Sequence, residues 1–154
     1  MRNVMTQLMV GVAITAIGAF AADNSLGTWK LNMEKSKFSP SAPVKNLTTT
    51  REAADGGVKA NTTGEQADGT AINASFTAKY DGKDYPATGA PYDSIAIKQV
   101  NANSFTFTQK KKDGKYSISG RSVISKDGKT MTNTLKGTNA EGKPYTASMV
   151  WDKQ

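Results

Sequence analysis

The chain has 154 residues, 37% hydrophobic and 21% charged, and its 20 Lys and Arg against 13 Asp and Glu leave a net charge of +7. It contains neither His nor Cys, which removes the Ser-His-Asp triad, thiol nucleophiles, disulfides and the usual zinc, copper and haem ligands. Only Arg2, Arg51 and Arg121 are arginine, so the planar fork that reads phosphates and base edges is scarce and no nucleic-acid partner is expected.

The first segment, MRNVMTQLMVGVAITAIGAFAA, carries one early charge, an apolar middle from Leu8 to Phe20, and small residues at its end. That is the pattern of a secretory signal peptide. Ala19 and Ala21 supply the small-x-small site, so cleavage is expected after Ala21, leaving 1–21 as signal peptide, 22–154 as a single domain, and a periplasmic or secreted protein. The competing reading is an uncleaved anchor, because twenty uncharged residues separate Arg2 from Asp23, roughly the span of a membrane helix. Ala, Gly and Thr rather than Leu dominate those residues, which favours cleavage and no stable membrane insertion afterwards. The remaining length suits one core without staples.

Strands are expected over 27–32, 46–52, 58–63, 70–80, 83–87, 94–100, 104–111, 115–125, 129–137 and 143–152, where side chains alternate with period two. After GTWKLN, the gap 33–45 (MEKSKFSPSAPVK) is broken by Pro40 and Pro43 and has room for at most one helical turn. Downstream, Ile72, Ala74, Phe76, Ala78 and Tyr80 share a face, as do Phe105 with Phe107. The same alternation aligns Tyr116, Ile118, Gly120, Ser122 and Ile124, then Met131 and Leu135 around Asn133, and last Tyr145, Ala147, Met149 and Trp151.

Between these runs stand Asp55-Gly56, Asp68-Gly69, Asp81-Gly82, Asp113-Gly114 and Asp127-Gly128, with Glu141-Gly142 as a variant. They read as two-residue type I′ hairpin turns, in which both central residues take positive φ. Successive hairpins in a small domain predict an all-β fold, either a strongly curled sheet or, as taken here, an antiparallel up-and-down β-barrel of about 8–10 strands, in which closure removes exposed edges.

Gly27-Thr28-Trp29-Lys30-Leu31 at the start and Met149-Val150-Trp151-Asp152-Lys153 at the end resemble the first and closing strands of the calycins, the superfamily of lipocalins and fatty-acid-binding proteins. More narrowly, GTWKLN, KSKFSP, KYDGKDYPATG and SKDGKTMT together are similar to small exported bacterial lipocalin-like proteins of unassigned function. The resemblance implies that Trp29 closes the barrel floor beneath a basic side chain near the chain end, with Lys153 the candidate and Arg121 a second; Trp151 belongs to the same closing group. The departures are equally specific. The two-helix lid of fatty-acid-binding proteins has no room in 33–45, and their Arg-x-Tyr carboxylate clamp is replaced by Met149 and Trp151.

No Ser-x-x-Lys, Tyr-x-x-x-Lys, phosphate-binding glycine loop or calcium loop appears beyond the leader. No catalytic residue, metal site or cofactor is therefore expected, and the protein is read as a non-enzyme. The inward faces are the informative feature. Ile72, Phe76, Ile95, Ile97, Phe105, Phe107, Tyr116, Ile118, Met131, Leu135, Tyr145 and Met149 are candidates to line a cavity, and they would equally well fill it. Ala74, Ala78, Gly120, Ser122, Asn133 and Ala147 on the same faces leave space or polarity. In an up-and-down barrel the loops at 33–45, 64–69, 88–93, 111–115 and 138–142 gather at one end, with Lys35, Lys37, Lys110, Lys111, Lys112, Lys115 and Lys143. Those lysines are either a solvated rim or an attraction for an acidic amphiphile. Two functions follow: an exported binding protein for a small hydrophobic or amphiphilic ligand, or a structural or interaction domain of the cell envelope with a filled core.

Overall fold

The computed structural model describes residues 22–154; the expected signal peptide, 1–21, lies outside the described residues. Ten strands follow in chain order: β1 Gly27–Ser39, β2 Val44–Ala54, β3 Gly57–Gln66, β4 Ala71–Lys79, β5 Asp81–Thr88, β6 Ser94–Asn101, β7 Ser104–Lys110, β8 Ser117–Ile124, β9 Thr130–Thr138 and β10 Pro144–Lys153. Each pairs antiparallel with its chain neighbour, and β1 also pairs with β10, so the sheet closes into an up-and-down barrel without a free edge.

Each expected strand overlaps an observed one, with ends that differ by up to three residues, except at 33–39, an expected loop that belongs to β1. Here β1 continues to Ser39 through a bulge: Asn32 faces Val150, but the next pair is Lys37 with Ser148. The extra residues break the period-two pattern and switch its parity, so Leu31 packs inward before the bulge, Met33 at its start and Phe38 after it. Side chains stand in for the interrupted ladder. Ser36 Oγ accepts the Val150 N–H at 2.9 Å and donates to the Asn32 carbonyl at 2.7 Å.

The turns also differ from the expected type I′. Among the described residues none but glycine has positive φ, so the aspartates keep ordinary backbone conformations; Gly56, Gly69, Gly82, Gly128 and Gly142 turn left-handed, and Gly114 does not. At Ser125–Gly128, the Gly128 N–H bonds the Ser125 carbonyl and Gly128 takes φ of 72°, a type I turn followed by a left-handed glycine. The aspartate instead works through its side chain: Oδ1 of Asp68, Asp81 and Asp127 accepts the backbone N–H two residues on. Those bonds, with side-chain bonds from Tyr85 to Asp81 and from Ser125 to Asp127, hold the three carboxyls below the usual aspartate range.

One end of the barrel is packed shut. Trp29 is fully buried with Leu31, Val58, Ala78 and Ile124. Its Nε1 donates to the Ser25 carbonyl at 2.8 Å, and Lys153 Nζ lies 5.3 Å from its ring centroid. That is within reach of a cation–π contact. Arg121 does not join this group. It is exposed on β8, out of phase with inward Gly120 and Ser122, and its Nε donates to Ser104 Oγ.

Replacing Trp29 with Ala removes the plug and one partner of Lys153, and is expected to cost about 3–5 kcal/mol in urea unfolding; a midpoint near that of the unaltered protein would refute the role. Ser36→Ala leaves the Val150 N–H without its acceptor and is expected to cost about 1–3 kcal/mol, read in the same measurement.

Candidate functional site

Above the packed floor the barrel holds a cavity of about 230 Å³. Inward residues of nearly every strand line it, and Pro43, Pro91 and Tyr92 from the connecting loops border it at the opposite end from Trp29. That end is the mouth, because the connections after β1, β3, β5, β7 and β9 all fall there.

Ten of the twelve expected lining residues meet the cavity: Phe76, Ile95, Ile97, Phe105, Phe107, Tyr116, Met131, Leu135, Tyr145 and Met149. Ile72 and Ile118 do not. Ile72 is half-buried beside Gly64 toward the mouth end of β4. Ile118 is fully buried among Leu135, Ala147, Phe107 and the tyrosines, behind the side chains that reach the open space. Gly120 leaves less room than its size implies, because the Phe107 ring lies over it: a Cβ there would stand 2.5 Å from Phe107 Cζ. Trp151, expected in the closing group, is buried and borders the cavity.

The aromatic residues divide the space. At the mouth, Tyr92 and Tyr116 rings lie 5.9 Å apart, and Tyr116 Oη donates to Gln109 Oε1 at 3.1 Å. Below the cavity and outside its lining, Tyr80 packs against Phe105 at 5.1 Å and donates to Asp23 Oδ2 at 2.5 Å. Burial pushes the Tyr80 and Tyr92 phenols up to about 12, with the Asp23 bond adding to the rise at Tyr80 and the Arg51 charge opposing it at both. Burial also raises Tyr116 and Tyr145. Half-buried Tyr85 is raised as well, by its bond to Asp81.

Polar groups occupy two patches of the wall. On β2 and β3, Thr62 Oγ1 donates to Thr49 Oγ1 at 3.0 Å, beside inward Arg51. Arg51 Nε donates to the buried Ser25 hydroxyl, which in turn donates to Asp23. Across the barrel, Ser122 and Asn133 face one another in register. Asn133 Oδ1 and Trp151 Nε1 are buried without a hydrogen-bond partner among the described residues. A buried donor or acceptor left unpaired is costly, so both are positions where an occupant's polar group would be favoured.

Arg51, Thr49 and Thr62 were not among the expected lining residues. The stretch NLTTTREAA shows no apolar alternation, so its inward face is hidden among polar side chains. The signal was parity: Leu47 is the one large apolar residue there, and stepping by two from it reaches Thr49 and Arg51. The mouth lysines are solvated. Lys111 pairs with Asp93 at 3.9 Å and Lys143 with Glu141 at 3.3 Å, all four side chains well exposed.

No known family profile matches the chain, and no curated protein matches it in sequence. Among solved structures twelve chains match. One is zebrafish ileal bile acid-binding protein complexed with cholic acid, 11% identical with a TM-score of 0.51, covering 86% of this chain and 100% of that one. The shared feature is the fold, a calycin-type closed barrel.

All five tyrosines are shifted upward, which makes alkaline stability a test of these environments. A folded-state value above the unfolded one means that the native protein holds the phenolic proton more tightly, so this contribution is complete below about pH 10 and lost as pH rises through it. Tyrosinate absorbance near 295 nm is expected to lag that of the unfolded chain at about pH 10, and the urea midpoint to fall between about pH 10 and the shifted values near 12. Tyrosines that titrate together at the ordinary value while the protein stays folded would contradict the assignment.

Proposed function

We propose that this protein is an exported, non-enzymatic barrel that binds a small hydrophobic or amphiphilic molecule inside its cavity. The observation that carries the reading is the interior itself: an apolar, aromatic-lined space of about 230 Å³ bordered by mouth loops and closed below by a packed floor. Binding would proceed by burial of apolar surface in a preformed cup, with a few fixed polar groups setting orientation. The complex of a barrel of this fold with cholic acid supports an amphiphile as the class of occupant. The chain's lack of His and Cys supports binding without covalent chemistry.

The volume lies below the roughly 300 Å³ at which drug-sized sites begin, so the occupant is small unless side chains at the mouth shift. A filled-core envelope domain is the competing outcome.

Titration of the purified protein with the neutral hydrophobic probe N-phenyl-1-naphthylamine is expected to enhance its fluorescence saturably, and native mass spectrometry to show one bound molecule. Met149→Trp, which places a larger ring into the cavity, is expected to lower probe affinity by about tenfold or more while costing about 1–3 kcal/mol of stability. A protein that neither binds the probe nor co-purifies with any extractable lipid would favour the filled-core reading.

A further inference from the structure

Charge is distributed in two ways over the outer wall of the barrel. On one part opposite charges face each other across neighbouring strands: Glu52 stands in register with Lys59, Asp81 with Lys98 and Lys30 with Asp152. Pairs of that kind offset one another. The wall formed by β7, β8, β9, β10 and the end of β1 is different. Thr106, Arg121, Thr134, Ser148 and Lys37 make one row in register across it, and Lys136 stands between Ser119 and Thr146 in the next row toward the mouth. These side chains point outward, out of phase with Phe107, Asn133 and Met149, which line the cavity. The row on the floor side contains only Ser, Val, Thr and Asn, so the three rows hold three cations and no carboxylate. Neither ion pair of the described residues involves Arg121, Lys136 or Lys37. Acids at the margin have neighbours of their own: Asp152 faces Lys30 and accepts from Asn32 Nδ2 at 2.8 Å, and Glu34 adjoins Lys35 in the β1 bulge.

A second observation singles out the middle of this wall. Arg121 is exposed, yet its Nε donates to Ser104 Oγ at 3.0 Å, and Ser104 is only 5% exposed. The guanidinium is thereby tied along the sheet surface by one edge, leaving its Nη edge for another partner. Holding a cation in place before a partner arrives lowers the ordering cost of binding. On either side of it in the row stand exposed threonines, Thr106 and Thr134.

We propose that this wall docks an anionic polysaccharide whose charge is carboxylate, with Arg121 taking one carboxylate and Lys136 and Lys37 its neighbours along the chain. The site is on the outside of the barrel and stands apart from the cavity reading. The planar fork of Arg121 fits the two oxygens of a carboxylate. The surrounding hydroxyls both donate and accept, which is what a chain of sugar hydroxyls requires. Arg121 and Lys136 are diagonal neighbours on adjacent strands, about 7–8 Å apart at the backbone, and Arg121 and Lys37 are separated by three strand spacings, about 14 Å. A few sugar rings span both intervals. Other polyanions fit less well, because the three rows carry no aromatic side chain for a base to stack on. Val123 and Val150 are their only large apolar residues, too little to enter a bilayer.

The test is surface plasmon resonance of the protein against polygalacturonate, dextran, polyglutamate and single-stranded DNA at about 0.15 M salt, where long-range attraction is screened. Polygalacturonate is expected to bind severalfold more tightly than polyglutamate or the DNA, and uncharged dextran not measurably. Arg121→Gln is expected to lower polygalacturonate affinity about tenfold, the size of a charge-assisted contact, and Arg121→Lys to fall between the two. Lys136→Gln with Lys37→Gln, which leaves the Ser104 bond intact, is expected to weaken binding as well. Thr134→Val, which removes a hydroxyl and keeps the shape, is expected to weaken polygalacturonate severalfold and to leave polyglutamate unchanged. Lys112→Gln with Lys126→Gln removes two charges from turns off this wall and is expected to bind as the unaltered protein does. Urea midpoints confirm that each variant is folded. Absence of polygalacturonate binding by the unaltered protein would overturn the proposal. So would a loss in the Lys112 and Lys126 pair as large as in the Lys136 and Lys37 pair, which would make the attraction one of net charge. Equal affinity for polyglutamate or DNA would overturn it too, since the hydroxyl rows would then contribute nothing.

Discussion

Pairing of β1 with β10 is the contact on which the rest of the molecule depends. It joins the two ends of the described chain and leaves no strand with an unpaired edge. It also draws Lys153 over Trp29 and brings Leu31 opposite Trp151, so the floor is built by the same act that closes the ring. A chain without cysteine has no covalent means of fixing this closure. It relies on a ladder of backbone bonds, repaired at its one large irregularity by the Ser36 hydroxyl.

Closure from below makes the interior asymmetric. Trp29, Val58, Ala78 and Ile124 fill the floor completely, while the wall above stops short of meeting at the centre. The alternatives of filled core and open cup therefore both describe part of the molecule, each at its own height. What distinguishes the open part from an unfilled gap is the chemistry of its wall. Arg51, Thr49 and Thr62 occupy positions where aliphatic residues would pack without desolvation cost, and Trp151 and Asn133 turn unpaired polar atoms inward.

Much of the barrel was legible in the residues because two local rules agree in it. Alternation marked the strands, and Asp-Gly marked their ends. Where the rules parted, reading failed for a physical reason. At 33–39 the bulge shifts the parity that alternation relies on, so Met33 and Phe38 did not register as one strand's inward residues. Most turns were placed correctly but given the wrong backbone, because Asp-Gly serves a type I turn with a left-handed glycine as readily as type I′, whereas Asp81-Gly82 lies within β5 at a register shift. Ten lining residues were legible because they are large and apolar, whereas Arg51 was not, since an inward cation on a polar strand has no period to announce it. Lys153 was found through the resemblance of the two chain ends rather than through any local pattern.

The ring is also uneven around its circumference. Between β4 and β5 only Ser75 with Thr88 and Phe76 with Ala87 stand in register, whereas β3 and β4 share nine such pairs. A hoop with one compliant joint yields there first, since fewer backbone bonds need to part than at any neighbouring joint. Opening along this seam would widen the barrel while β1 stays paired with β10 and the tryptophan plug stays in place. The side wall, rather than the floor, is where the cup would give.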